Sequence, residues 1–234
     1  MRTTWRNEIP QLLVIAAMFA AGVITLPTAP DNVPIRWNFQ GQVTGYAHPA
    51  FALFFLPLLA FMIYVLFRFL PLVDPGRANY ASFAGAYGLV RWLVTAFLAV
   101  VDALIHLALR GVPVDVGLVI PLALGLLFVL LGNVMGKLRP NWFVGIRTPW
   151  TLSSKRSWTR THALGGRVFV AVGIVFFLSV LARSVGVARA STLFTVAVVI
   201  ALIGVVYLTA YSYVVWRSDP ERIPPAGTLP ADHA

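Results

Sequence analysis

Three ionisable side chains, Arg91, Asp102 and His106, fall within one long apolar block of the sequence. The block spans about residues 82–109, which is long enough for a helix that crosses a membrane. Because an α-helix turns about 100° per residue, the three side chains lie on one stripe of that helix. Charged groups at this depth are costly unless they face other helices and find partners. The stripe indicates either a proton-coupled or ligand-binding cavity, or internal hydrogen bonds that lock a helix bundle.

The spacing within this stripe limits its chemistry. Arg91 and Asp102 are about 16 Å apart along the helix axis, too far for direct pairing, whereas Asp102 and His106 are one turn apart and within reach of a hydrogen bond. Asp102 is the only carboxylate that the sequence places inside a membrane span, and the chain has no Cys. The four histidines are scattered, at His48, His106, His162 and His233. We therefore expect no catalytic residues, no metal and no cofactor, and an enzyme is the less favoured class.

The longest polar segment, residues 132–167, is the second candidate for function. Its residues 137–167 hold seven of the eighteen basic residues and no Asp or Glu. Such a segment stays on the cytoplasmic side of a membrane, and Trp142, Trp150 and Trp158 are of the type that settles at headgroup depth. We expect a loop at the bilayer surface that binds anionic lipid headgroups. The alternative is a charged loop that only sets the orientation of the chain.

Two prolines and a glycine make the first part of this segment rigid and irregular. Such a backbone presents Arg147 and peptide N–H groups to an anion, either a lipid phosphate or an acidic partner surface. The candidate binding residues of this cytoplasmic loop are Asn133, Pro140, Asn141, Gly145, Arg147, Thr148, Pro149, Trp150, Trp158 and His162.

An amphipathic helix is predicted from about Lys155, with Ser153 or Ser154 as its N-cap. One face of this helix carries Trp158, Thr161, His162 and Gly165, and another carries Arg156, Arg160 and Arg167. The pattern predicts a helix that lies in the bilayer interface and leads into the next membrane span.

The elements that must position these residues are membrane helices. The chain is 59% hydrophobic and 11% charged, with a mean hydropathy of +0.83, and so has more apolar surface than a soluble core of 234 residues hides. Six windows approach or exceed the roughly 20 apolar residues of a span: about 9–29, 50–72, 82–109, 115–137, 167–185 and 192–216. The sequence predicts an all-α, polytopic bundle of six transmembrane helices. In the fourth window, Gly132 and Gly136 favour close helix contact.

The distribution of Lys and Arg predicts the topology. Six spans place both termini on one side, and that side receives thirteen basic residues against four on the other. The thirteen are Arg2, Arg6, Arg68, Arg77, the seven of residues 137–167, Arg217 and Arg222, and the four are Arg36, Arg110, Arg183 and Arg189. Both termini are therefore predicted to be cytoplasmic. Because topology accounts for most of the net charge of +10, we expect no direct nucleic-acid partner.

The chain divides into three predicted parts. Residues 1–75 form a two-helix unit with an external loop at 30–49, residues 76–216 form a four-helix unit with the cytoplasmic loop, and residues 217–234, rich in Pro, form a disordered tail. The external loop is either an aromatic anchor with a turn or a surface for an extracellular ligand. Its candidate residues are Trp37, Asn38, Gly41 and Tyr46.

The strings in these loops resemble those of a known family. Asn133, Pro140-Asn141, Gly145 to Leu152, Trp158 and His162 closely resemble the hallmark of the SdpI family, bacterial membrane proteins named after the immunity protein against the sporulation-delaying toxin. Pro34-Ile35, Trp37-Asn38, Gly41 and Gly45-Tyr46 resemble the small domain of unknown function that often precedes it. This chain departs from that pattern at Arg36 and Thr44, where His and Asp are common. Together the two resemblances are expected to cover nearly the whole chain.

The resemblance implies a multi-pass protein of the bacterial inner membrane that protects its cell against a secreted peptide toxin. It implies binding and signal transduction instead of catalysis. The implied partners are an extracellular peptide toxin and a cytoplasmic regulator, beside anionic membrane lipids. The alternative class is a transporter or lipid-handling protein in which Arg91, Asp102 and His106 line a pathway. A membrane enzyme that uses Asp102 and His106 is the third hypothesis. It is the least favoured, because no nucleophile or metal set stands beside them.

Overall fold

The computed structural model describes residues 5–187 and 190–223 of the chain. In these residues the backbone forms seven α-helices and one β-hairpin, in the order α1 (Trp5–Thr25), β1 (Val33–Trp37), β2 (Val43–Ala47), α2 (Pro49–Val73), α3 (Ala84–Leu109), α4 (Val116–Met135), α5 (Pro149–Leu152), α6 (Lys155–Ser184) and α7 (Ala190–Arg217). Short 3₁₀ helices follow α1, at Leu26–Thr28, and precede α3, at Arg77–Phe83.

Six of these helices, all except the single turn α5, are long and apolar enough to cross a membrane. They confirm the predicted all-α bundle of six spans, and the chain is a multi-pass membrane protein. α6 differs most from its prediction, because it runs unbroken for 30 residues from Lys155 instead of beginning near residue 167. Ser154 caps it by accepting the N–H of Ser157 at 2.9 Å, and no Pro interrupts it.

The helix ends define two faces of the bundle. One, which we call the basic face, carries the α2–α3 turn, the segment between α4 and α6, and the turn after α7. Hydrogen bonds join them: Asn79 donates to the Pro140 carbonyl at 2.7 Å, and the Ile223 N–H donates to the Ser153 carbonyl at 3.0 Å. The opposite face, which we call the hairpin face, carries β1 and β2. That the basic face and both termini are cytoplasmic stays a prediction.

The predicted external loop, residues 30–49, is folded as an antiparallel hairpin. Val33 of β1 lies opposite Ala47 of β2. Val33 is fully buried in a cluster with Leu53 of α2, so the hairpin is fixed to the helix ends by apolar contact. Its tip contains Gly41 at a φ of +83°, a backbone conformation that favours glycine.

α4 and α6 pack closely at two levels through glycines. A Cβ on Gly132 would lie 2.6 Å from the carbonyl oxygen of Gly166, and one on Gly173 would lie 2.7 Å from that of Gly125. Each is closer than real contacts allow, so these positions require the missing side chain. Close helix contact was predicted at both Gly132 and Gly136. It is confirmed at Gly132 and wrong at Gly136, where a Cβ would meet open space.

α3 connects the N-terminal helices of the bundle with the C-terminal ones. It packs on α1 and α2, and also on α4. Near the basic face it joins a core cluster shared with the α2–α3 turn, α4 and α6, namely Tyr80, Phe83, Ala86, Tyr87, Val134, Leu138, Val144 and Trp158. Because α3 contacts both of its neighbours, the division of the chain into units 1–75 and 76–216 stays a prediction.

The predicted disordered tail, residues 217–234, is wrong at its start. Arg217 is the last residue of α7, and the turn that follows is held to the α4–α6 segment. Asp219, which is 5% exposed, accepts a hydrogen bond from the Ser154 hydroxyl. Residues 224–234 lie outside the described residues.

Candidate functional site

Residues 137–154, which we call the 137–154 loop, contain most of the predicted binding residues. Asn141 lies at its centre and is 1% exposed. Its amide donates to the carbonyls of Arg139 at 2.9 Å and Val144 at 3.0 Å. Its oxygen accepts the N–H groups of Phe143 at 3.0 Å and Val144 at 2.7 Å. An Asn side chain has two N–H donors and two acceptor positions, so all four are used, and Asn141 fixes this turn from inside.

His162 of α6 holds the next part of the loop. Its Nε2 accepts the N–H of Ile146 at 2.9 Å, and its Nδ1 lies 2.8 Å from the carbonyl of Trp158. Because a carbonyl only accepts and a peptide N–H only donates, Nδ1 carries the ring proton and the imidazole is neutral. Gly145 lies against Nε2 with a φ of +115°, and a Cβ there would overlap that nitrogen. His162 therefore acts as an acceptor that positions backbone.

The predicted apolar face of α6 packs against protein and not against lipid. Trp158, Thr161, His162 and Gly165 are all buried, as their shared face predicts. The Trp158 and His162 rings stack with centroids 4.1 Å apart, and the indole N–H donates to the Leu138 carbonyl at 3.0 Å. The prediction that this face lies against the bilayer interface is therefore wrong, whereas the depth of Trp158 relative to the headgroups stays a prediction. The opposite face is exposed at Arg156, Arg160 and Arg167.

The end of the loop is fixed by two threonines. Thr148 caps α5, because its hydroxyl accepts the Thr151 N–H at 3.1 Å while its own N–H donates to the Thr151 hydroxyl at 2.9 Å. The Thr148 hydroxyl also lies 2.9 Å from that of Ser212 on α7. Pro149 occupies the first helical position, which favours proline. Trp150 follows, half-buried against an aromatic ring of α7.

Asp74 in the α2–α3 turn is a part of the site that sequence patterns do not identify. It is 1% exposed, and its Oδ2 accepts the Tyr80 hydroxyl at 2.7 Å and the Trp142 N–H at 3.0 Å. These contacts attach the 137–154 loop to α2 and α3. An Asp before Pro-Gly signals only a turn, so nothing local to Asp74 indicates a partner 68 residues away.

Three side chains of the loop form an exposed patch, which we call the contact surface. Trp142 is 54% exposed and Phe143 is 37% exposed, and Arg147 is exposed beside them. One nitrogen of Arg147 donates to the Trp142 carbonyl at 2.8 Å. A guanidinium has five N–H donors, so this anchored cation with two aromatic neighbours is suited to an anionic or partly apolar partner.

Asn133 lies apart from this arrangement. Its exposed side chain donates to the Val129 carbonyl of its own helix at 3.0 Å. It lines an outer groove between α4 and α6 with Gly136 and Arg167.

The predicted residues of the external loop lie on the hairpin. Trp37 packs with the core cluster beneath it. Asn38 and Gln42 close the tip, because the Asn38 amide donates to the Gln42 side chain at 2.8 Å and its oxygen accepts the Gln42 N–H at 2.9 Å. Gly41 lies between them. Tyr46 is 60% exposed and is available to a ligand at the hairpin face.

The hairpin tip contacts the far end of α6. The Arg183 guanidinium lies 5.0 Å from the centroid of the Phe39 ring and 2.9 Å from the Asp115 carboxylate. Because α6 is continuous, one rigid element contacts the hairpin at one end and holds the 137–154 loop at the other.

The intramembrane stripe is divided into two separate clusters. Arg91 pairs with Glu8 of α1 at 2.8 Å, and both are buried. Gln11 donates to the Thr95 hydroxyl at 2.6 Å and to the Arg91 carbonyl at 3.3 Å. The prediction that Asp102 is the only carboxylate inside a span is wrong, because α1 begins before Glu8 and brings it opposite Arg91.

Asp102 and His106 form the second cluster, near the hairpin face. Their closest atoms, Oδ2 and Nε2, are 3.7 Å apart, which is longer than a hydrogen bond. The His106 Nδ1 lies 3.1 Å from the Thr25 hydroxyl. Both residues line a groove of about 400 Å³ between α1 and α3. Within residues 5–187 and 190–223, no group of three or more His, Cys, Asp or Glu could hold a metal ion.

Six apolar helices, a folded polar loop on one face and a hairpin on the other define a polytopic membrane protein. Residues 137–212 match the model of the SdpI/YfhL protein family. Residues 13–61 match the model described as Domain of unknown function (DUF1648). Both resemblances inferred from sequence are confirmed, although residues 62–136 lie outside the two matches, so they do not cover nearly the whole chain. No curated protein and no solved structure matches the chain.

Proposed function

We propose that this chain protects a bacterium against a secreted peptide toxin, by binding and signal transduction and without catalysis. The observation that carries the proposal is the folded state of the 137–154 loop. Asn141 and His162 hold its backbone from inside, and the contact surface of Trp142, Phe143 and Arg147 projects from it. A surface with this support is suited to recognition, because little order has to be gained on binding.

The orientation that this function requires places the basic face in the cytoplasm of a bacterial inner membrane. The excess of Lys and Arg on that face supports it. The toxin then meets the hairpin from outside, where Tyr46 is exposed. The contact surface meets a cytoplasmic regulator or anionic lipid headgroups inside.

The transmitting element in this proposal is α6. Its 30 residues span about 45 Å at 1.5 Å per residue. A toxin that moves the hairpin tip acts on Arg183 at one end of α6. At the other end, Trp158 and His162 carry that movement to the loop through the Leu138 carbonyl and the Ile146 N–H. Residues 1–75 thus receive the signal and residues 76–216 transmit it.

The test is survival of a sensitive bacterium that expresses the chain and is challenged with secreted peptide toxins. We expect the wild type to protect and Arg147→Ala to lose protection at an equal amount of protein in the membrane. Arg139→Ala is the matched control, since it removes another exposed positive charge of the loop outside the contact surface. Full protection by Arg147→Ala, or equal loss in both variants, contradicts the proposal.

A transporter or lipid-handling protein is the second candidate. The observation in its favour is the groove between α1 and α3, into which Asp102 and His106 are placed. Asp102 Oδ1 and His106 Nε2 are buried without a hydrogen-bond partner among the described residues, so a proton or a ligand would satisfy them. This candidate requires that activity depends on Asp102.

A further inference from the structure

A small cavity at the basic face lies between the end of α2 and the start of α3. Its volume is about 100 Å³, and its lining includes Arg68, Arg77, Arg91, Tyr80, Tyr87 and Leu72. Since a single water needs at least about 10–15 Å³, this volume holds a group of several heavy atoms. Three of the eighteen basic residues of the chain thus converge on one cavity.

No Asp or Glu is among the residues that line this cavity. Glu8 pairs with one nitrogen of Arg91 and does not line the cavity. Asp74 is buried and accepts hydrogen bonds from the Tyr80 hydroxyl and from backbone N–H groups. Neither Arg68 nor Arg77 takes part in a salt bridge within the described residues. Even with both carboxylates counted, the cavity keeps a positive charge.

Arg91 supplies the second, independent sign of a ligand. It is 5% exposed, and its Nε is buried without a hydrogen-bond partner among the described residues. A buried donor left unpaired costs about 1–3 kcal/mol, and more on a charged group. Arg91 lines the cavity and Glu8 engages only one of its nitrogens, so the guanidinium keeps N–H donors for an acceptor placed there.

We propose that this cavity binds a phosphate group. Arginine forks match the oxygens of phosphate in geometry and in charge, and two further arginines, Arg68 and Arg77, stand at the entrance with exposed side chains. A phospholipid headgroup and a free phosphate ion share this chemistry. Leu72, which is 63% exposed, and Phe69, which is 54% exposed, offer apolar surface beside the site for acyl chains.

The site does not depend on the proposed immunity function, but it adjoins the 137–154 loop. Tyr80 lines the cavity and donates to Asp74, which accepts the Trp142 N–H. A ligand in the cavity therefore influences the position of Trp142 in the contact surface through Tyr80 and Asp74.

The test uses the full chain purified in detergent, with binding measured by native mass spectrometry. The probes are dioctanoyl phosphatidylglycerol, dioctanoylglycerol and inorganic phosphate. The binding variant is Arg68→Gln/Arg77→Gln, which leaves the buried pair of Arg91 and Glu8 intact. The control is Arg139→Gln/Arg160→Gln, which removes the same charge from exposed positions outside the cavity lining.

We expect one phosphatidylglycerol to bind the wild type and the control alike, with affinity at least about tenfold weaker in the binding variant, since two charged hydrogen-bond donors are lost. Dioctanoylglycerol, which lacks the phosphate, should not bind. Competition by inorganic phosphate at comparable concentration assigns the site to the free ion, and its absence assigns the site to the lipid. Binding of neither phosphate compound, or equal weakening in the control variant, overturns the proposal.

Discussion

The 137–154 loop and the Asp102–His106 cluster differ in whether their buried polar atoms have hydrogen-bond partners. In the loop, Asn141 makes four hydrogen bonds and both nitrogens of His162 are engaged. In the cluster, one atom of Asp102 and one of His106 are buried without a partner among the described residues. A fully satisfied network specifies one geometry, whereas an unsatisfied one leaves the energy of the site dependent on protons or ligands.

This difference explains why the loop is the better candidate for a contact surface. Its connection to the rest of the molecule does not rely on exposed charges. It relies on the hydrogen bond from the Trp142 N–H to Asp74 and on the hydrogen bond between the Thr148 and Ser212 hydroxyls. Surface ion pairs contribute little to stability, so the basic residues of the loop are available for recognition.

Gly145→Ala should break the loop most strongly. Strain at a positive φ costs about 1–3 kcal/mol, and the overlap of the new Cβ with His162 adds about 1–3 kcal/mol. We expect a clear loss of thermal stability in detergent together with faster proteolysis of the loop. Gly136→Ala is the control, because a Cβ there meets open space at an ordinary helical φ. If the two variants unfold at the same temperature, the loop is not held as described.

Asn141→Ala should have the next largest effect. It leaves buried carbonyl and N–H groups without partners, and we expect a loss of about 2–3 kcal/mol in the free energy of unfolding. Denaturant titration of the detergent-solubilised protein measures it. Asn133→Ala removes an exposed amide that bonds only to its own helix, so its effect should stay within about 0.5 kcal/mol. A neutral Asn141→Ala would show that the turn does not depend on its side chain.

Asp102→Asn tests the other half of the comparison, the Asp102–His106 cluster. The substitution keeps the volume and removes a charge that lacks a hydrogen-bonded partner on Oδ1. We expect no loss of thermal stability, because burying the neutral amide costs less than burying the carboxylate. Protection against toxin should also be unchanged if the cluster is structural. Loss of protection in a stable Asp102→Asn protein would favour the transporter or lipid-handling function.

The smallest expected effect concerns pH at the turn after α7. The hydrogen bond from the Ser154 hydroxyl lowers the pKa of Asp219 below its ordinary value, and Arg156 and Arg222 act in the same direction. A carboxyl whose pKa is lower in the folded state stabilises the fold above its unfolded pKa, and this contribution is lost as pH falls through the folded pKa. Acidification below about pH 4 should therefore destabilise the wild type slightly more than Asp219→Asn. Glu221→Gln is the matched control, and thermal unfolding at several pH values is the measurement. Parallel curves for wild type and Asp219→Asn would rule the contribution out.

The sequence was sufficient for the features that depend on local pattern. Apolar runs give the six spans, and the Ser154 cap with its buried face gives the start of α6. The same pattern gave a wrong prediction of what covers that face. The spacing of Trp158 and His162 along the helix is the same whether lipid or protein covers them. The hairpin was likewise missed as strands, since its short, Gly-containing runs also suit a turn.

The features that could not be predicted depend on distant partners. Glu8 pairs with a residue 83 positions away and Asp74 with one 68 positions away. Neither has a local signal, because each lies at the end of a span, where a carboxylate is ordinarily solvated. The glycine contacts between α4 and α6 were half predicted: Gly132 has the correct role, but its partner Gly166 is set by helix packing and not by sequence spacing.

Hydrogen exchange of the 137–154 loop in the free protein tests the central claim most directly. Its backbone N–H groups at Trp142, Phe143, Val144, Ile146, Thr148 and Thr151 all donate to side chains. A preformed contact surface predicts that these amides exchange slowly without any toxin or regulator, and that Asn141→Ala speeds those of Phe143 and Val144. Exchange of all six at the rate of an unprotected chain would contradict the account.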